Sequence, residues 1–187
     1  MLQPTVRDFT AAPATDQAAT DAPASSLIVL GLTTILFSLH YAGFFPFGWA
    51  ALGTGLFYGA MGLITAGLVA WRRHQTFSAV LATAYGLFWL SLVALVVLPE
   101  TGFGQAPQSS ALSSYLALWG LFTSILFTGA SRLSRELRVF LAMLALLRLL
   151  LGAGAAAESL LLNALAGGEG IACGLAGIYA GIVRLRN

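Results

Sequence analysis

Between Arg138 and Glu158 the chain reads VFLAMLALLRLLLGAGAAA (Val139–Ala157). An apolar run of about 20 residues is the length of helix that crosses a bilayer. The run is apolar all round the helix, so it leaves no face for water. One residue disagrees. Arg148 lies ~15 Å along the helix from Arg138, near mid-bilayer, where an arginine is disfavoured by roughly 2.5–3.5 kcal/mol.

Working outward from this run, the same texture recurs from Ser26 to the C-terminus. Further spans are predicted at Leu27–Tyr41, Trp49–Trp71, Phe77–Leu98, Leu112–Ala130 and Ile171–Val183. ESLLLNALAGGEG, between the last two spans, fits either helix or a dip between them. Composition agrees: 58% of the 187 residues are hydrophobic and only 9% are charged, against about 25% charged in soluble domains. Residues 1–25, rich in Ala, Thr, Asp and Pro, read as a flexible cytoplasmic tail, and residues 26–187 as the transmembrane domain. The tail lacks the basic start and apolar block of a signal peptide. The expected fold is therefore an all-α integral membrane protein of six transmembrane helices.

Charges set the orientation. Arg72 and Arg73, then Arg132, Arg135 and Arg138, then Arg184 and Arg186 fall on one side, while Glu100, Glu158 and Glu169 fall on the other. By the positive-inside rule both termini are cytoplasmic. The aromatics Tyr41, Phe44, Phe45, Phe47 and Trp49 fit the outer interface, and Trp71 the inner one. Glycines four apart (Gly55 and Gly59, Gly170 and Gly174, Gly177 and Gly181) allow close helix packing, within a bundle or between protomers.

Several function classes drop out. The nine arginines form no basic stripe for nucleic acid, and the single cysteine, Cys173, reads as a small packing residue. Neither His40 nor His74 has a metal-ligating neighbour at suitable spacing, and no nucleophile–base pair or phosphate-binding loop occurs, so neither metal, cofactor nor enzymatic activity is expected. Polar stripes inside the spans point to transport instead. Leu30, Thr34 and Ser38 share a helix face, as do Tyr85 and Trp89 with Thr83 nearby; the fourth span carries Tyr115, Thr123 and Ser124. Such donors suit a small carboxylate shedding water, although membrane hydroxyls also bond routinely to their own helix. The candidate pathway residues are Thr33, Thr34, Ser38, Thr83, Trp89 and Arg148.

Five blocks carry a resemblance: GLTTILFSLHYAGFFPFG (Gly31–Gly48), GLFYGAMGLITAG (Gly55–Gly67), TFSAVLATAYGLFWLSLVAL (Thr76–Leu95), YLALWGLFTSILFTGA (Tyr115–Ala130) and GIACGLAGIYAG (Gly170–Gly181). In order and spacing they resemble the acetate/succinate transporter family, the SatP-like uptake proteins. The resemblance implies a six-helix protomer in a homo-hexamer, each protomer with its own pore in the inner membrane. It also implies a constriction at Leu30, Tyr85 and Leu144. There are departures. DAPASSL (Asp21–Leu27) stands for the family's Asn-Pro-Ala-Pro-Leu-Gly-Leu; Leu30 stands for Phe, Ser38 for Asn, Leu63 for Gln; and GAGAAAES (Gly152–Ser159) replaces an Asn-containing segment.

The expected function is passage of small monocarboxylates such as acetate, with succinate and proton coupling as further expectations. Arg148, one turn from Leu144 on the same face, is then a fixed cation beside the seal. Its structural alternatives are a pair with Glu158, another intramembrane acceptor, or a neighbouring protomer. The alternative functions are a channel for neutral amides or urea, and a non-transporting membrane assembly component.

Overall fold

The computed structural model describes residues 24–45, 48–130 and 134–186. Residues 1–23 of the expected tail lie outside them, as do Phe47 and Arg132, whereas Ala24 and Ser25 already belong to the first helix. Six helices are long and apolar enough to cross a membrane. They are α1 (Ala24–Tyr41), α2 (residues 49–72), α3 (Thr76–Glu100), α4 (Ser109–Gly129), α5 (Arg135–Ala156) and α6 (Leu160–Arg186). No strand occurs among the described residues.

Each helix outruns its apolar run because polar flanks continue the backbone ladder to a chemically definite stop. Ser134 caps α5 by accepting the Leu137 N–H at 3.4 Å. At its other end Glu158 adopts φ +48, and the Ser159 N–H closes onto Gly154 O at 3.0 Å. Ser159 then caps α6, accepting the Leu162 N–H at 3.3 Å. His74, at φ +59, ends α2 in the same left-handed way. The ambiguous segment ESLLLNALAGGEG thus resolves: apart from the Glu158–Ser159 turn it is the start of α6.

The middle of α2 is wound as a π-helix over Gly55–Gly62, and there Gly55 and Gly59 face the Trp89 indole. A Cβ on Gly59 would lie 2.6 Å from the ring, so only glycine admits Trp89 this deeply. Backbones approach closely between α1 and α6, α5 and α6, α4 and α5, and α2 and α3, and α1 also packs on the π segment. These contacts run α3–α2–α1–α6–α5–α4, and side chains of α3 and α4 (Tyr85 on Thr123, Ser91 on Tyr115) close them into a ring. The bundle is apolar on its outside as well, with Phe57, Leu68, Leu118, Leu121 and Ile125 exposed. That is the surface lipid requires.

Arg72, Arg73, Arg135, Arg138, Arg184 and Arg186 gather at one end of the bundle; Glu100 and Glu158 lie at the other. The two ends are called here the arginine end and the acidic end.

Candidate functional site

Arg148 sits inside the ring, fully buried. Gly120 on α4 lets α5 approach at Arg148 and Leu149. The guanidinium carbon stands 4.0 Å from the centroid of Phe88 on α3 and 5.9 Å from that of Phe37 on α1. Aromatic faces attract a cation, and a desolvated contact of this kind contributes about 2 kcal/mol. They supply no acceptor. Nε, Nη1 and Nη2 are all buried and none donates a hydrogen bond. Glu158 is not the partner: it is exposed at the acidic end, where it accepts the Ser109 hydroxyl at 2.8 Å.

Two more donors share this neighbourhood. The Trp89 ring lies 5.5 Å from Phe37 and 5.8 Å from Phe88, with its Nε1 buried and unbonded. Ser38, on α1 one residue past Phe37, has its hydroxyl buried, unbonded and against Gly170 of α6. Buried polar groups are ordinarily satisfied, and each orphan costs about 1–3 kcal/mol. A guanidinium, an indole N–H and a hydroxyl thus each lack an acceptor, the first two both against the Phe37 and Phe88 rings. Toward the acidic end, a cavity of about 400 Å³ lined by Phe37, His40, Tyr41, Leu92 and Glu100 approaches these groups.

Elsewhere the hydroxyls divide: Ser26 and Ser78, near the arginine end, are likewise buried without a partner, while most others are bonded. Thr33 donates to Val29 O at 2.9 Å or Leu30 O at 3.1 Å, and Thr34 to Leu30 O at 2.7 Å. Thr83 is half-buried and packs against Gly67 of α2. Thr123 donates to Trp119 O at 2.7 Å, so the Tyr85 hydroxyl donates to Thr123 Oγ1, 2.5 Å away. Tyr115 and Ser91 pair at 2.7 Å. Leu30, Tyr85 and Leu144 are all fully buried in the same core as Phe37, Phe88 and Leu147.

Of the residues expected from the sequence, Ser38, Trp89 and Arg148 therefore keep buried, unused donors, whereas Thr33 and Thr34 bond to their own helix and Thr83 packs on Gly67. The sequence reading missed Phe37 and Phe88. Their signal was position: Phe37 shares the face of Thr33 and Thr34, and Phe88 lies one turn from Tyr85. His40 pairs through Nδ1 with Phe45 O at 3.1 Å. Cys173 is a buried packing residue whose thiol faces Phe140 O.

The chain has relatives in sequence and shape. Residues 2–187 match the GPR1/FUN34/yaaH family. An uncharacterized protein of Methanothermobacter thermautotrophicus is 41% identical over 92% of this chain and 87% of its own length. The succinate-acetate/proton symporter SatP of Escherichia coli is 37% identical over 86% of each chain. A solved structure of the bacterial acetate channel SatP superposes with a TM-score of 0.85 at 36% identity, covering 91% of this chain and 92% of that one. With a family match over nearly its whole length, this multi-pass membrane protein belongs to the GPR1/FUN34/yaaH family.

Proposed function

We propose that the chain is a membrane channel or transporter for small monocarboxylates, acetate foremost, with succinate a further substrate, and not an enzyme. The observation that carries this reading is the fully buried Arg148 guanidinium, none of whose nitrogens donates a hydrogen bond. A carboxylate is the small ligand that matches a guanidinium in charge and in bidentate geometry. In this reading acetate enters from the acidic end and sheds water as Ser38 and Trp89 offer donors. It rests on Arg148 beside the seal made by Leu30, Tyr85 and Leu144. The SatP symporter and the SatP acetate channel support the substrate class.

The arginines at one end favour a cytoplasmic placement of both termini in the plasma membrane. The working assembly is a homo-hexamer with a pore in each protomer. The glycines Gly170, Gly174, Gly177 and Gly181 leave its contacts to other residues, since they face α1 and α5 within the protomer.

The test is labelled acetate uptake into proteoliposomes by the wild-type chain and by Arg148→Gln. Loss of one charge-assisted hydrogen-bonding site lowers uptake by roughly 10- to 100-fold. Equal uptake by both chains would return Arg148 to a structural role. Wild-type protein that assembles yet carries no acetate would sink the substrate class.

A further inference from the structure

Arg148 is not alone as an unpartnered charge within the spans. Glu169 on α6 has both carboxylate oxygens buried, and neither accepts a hydrogen bond. Along their helices Glu169 lies ~14 Å from the Leu160 end and Arg148 ~12 Å from the Ala156 end, so the two share a level. Packing gives the same register independently. A Cβ on Gly170, next to Glu169, would lie 2.9 Å from Leu147 Cδ1, next to Arg148. Neither charge is in a direct ion pair. Glu100 and Glu158, by contrast, are exposed at the acidic end.

On the reading of Arg148 as a carboxylate site, we propose that Glu169 is its exchangeable counter-ion. The Glu169 carboxylate compensates the guanidinium while the pathway is empty, and takes up a proton when a substrate carboxylate reaches Arg148. The reason is charge balance in a medium of low dielectric. One guanidinium neutralises one carboxylate; a second leaves an uncompensated negative charge, and burying that is expensive unless one carboxyl is protonated.

The cycle balances. A proton from water at the acidic end adds to a Glu169 oxygen as the substrate anion docks. When the anion leaves toward the arginine end, Glu169 returns its proton to water there and again compensates Arg148. One proton accompanies one carboxylate, and no net charge crosses. Other titratable groups in this half of the bundle are His40 and Tyr41 on α1, Tyr115 on α4, Cys173 on α6 itself, and Glu100 and Glu158 at the acidic end, with Tyr85 of α3 in the half beyond. His40 and Tyr41 line the cavity from the acidic end, which provides a route for water and protons.

The experiment measures acetate uptake in proteoliposomes against external pH and against an imposed potassium diffusion potential, with passive entry subtracted using protein-free vesicles. Wild-type uptake rises on external acidification by up to about tenfold per pH unit and ignores the potential. Glu169→Gln loses the pH dependence and becomes potential-sensitive, because each acetate then carries its charge alone; Glu169→Asp behaves as wild type. Wild-type pH and potential responses in Glu169→Gln would overturn the counter-ion while leaving the carboxylate reading intact. No protein-dependent uptake by wild type would overturn both. Should Glu169→Gln fail to assemble, calorimetric acetate titration of the wild type in two buffers of different ionisation enthalpy decides: proton uptake with binding supports the proposal, and none overturns it.

Discussion

The ring of helices is closed in two different ways on its two sides. Where α1 meets α6, glycines bring backbone onto backbone: a Cβ on Gly31 would lie 2.6 Å from Gly174 O, and one on Gly181 would lie 2.9 Å from Ala24 O. Where α3 meets α4, side chains bridge the gap, with Tyr85 on Thr123, Ser91 on Tyr115, and Phe88 5.2 Å from Trp119 and stacked at 5.9 Å on Tyr115. Close backbone contact leaves few intermediate positions, because the side chains beside it are Ile28, Ile35 and Ile178, which are β-branched and stiff at χ1. Aromatic and hydroxyl contacts do have them. The contrast assigns rigidity to the α1–α6 side and adjustability to the α3–α4 side, with Arg148 between.

The strongest way to break this comparison is Gly174→Leu. Its side chain has to displace Gly31 and Ile35, and overpacking of this kind costs about 1–3 kcal/mol or more. Loss of monodisperse protein in size-exclusion chromatography is expected; a normal elution profile would show that the α1–α6 contact yields. A smaller effect comes from Phe88→Leu, which removes the ring 4.0 Å from the guanidinium. Because Phe88 also packs on Trp119, the double-mutant cycle with Arg148→Gln isolates the cation–π part, expected at about 1–2 kcal/mol in detergent unfolding. A coupling near zero would mean the ring merely fills space.

Tyr85→Phe sharpens the picture further. Thr123 keeps its own bond to Trp119 O, so only one hydrogen bond is lost, about 1 kcal/mol. A loss several times larger would make that pair the clasp of the seam. Smallest of all is Thr34→Val, since the hydroxyl bonds only to Leu30 O of its own helix. A shift in unfolding free energy below ~0.5 kcal/mol is expected, and a large one would reveal a partner across the ring.

The legible parts of the fold were those with one-dimensional signatures. Apolar runs of bilayer length located six spans, and alternating arginines grouped their ends. Arg148 was legible too, because a permanent charge amid Leu144–Leu151 has no local explanation. Less legible was which hydroxyls are free. Thr33, Thr34 and Ser38 look alike in sequence, yet two bond to their own helix and Ser38 does not. The shared level of Glu169 and Arg148 was equally hidden: Glu158 is nearer in sequence, but a turn at φ +48 carries it out to the acidic end.

The sequence by itself determined that this protein lives in lipid, how many times it crosses, which ends carry the positive charge, and that one cation is buried. Those follow from composition and spacing, since a bilayer sorts residues along a single axis. Tertiary structure decided what the cation meets. Phe37 and Phe88 come from α1 and α3, and only the order of helices around the ring brings them to Arg148, with Trp89 packed on both rings. Hydrogen-bond satisfaction and charge compensation act over a few ångströms in three dimensions. They depend on register between helices, which no single stretch of chain encodes.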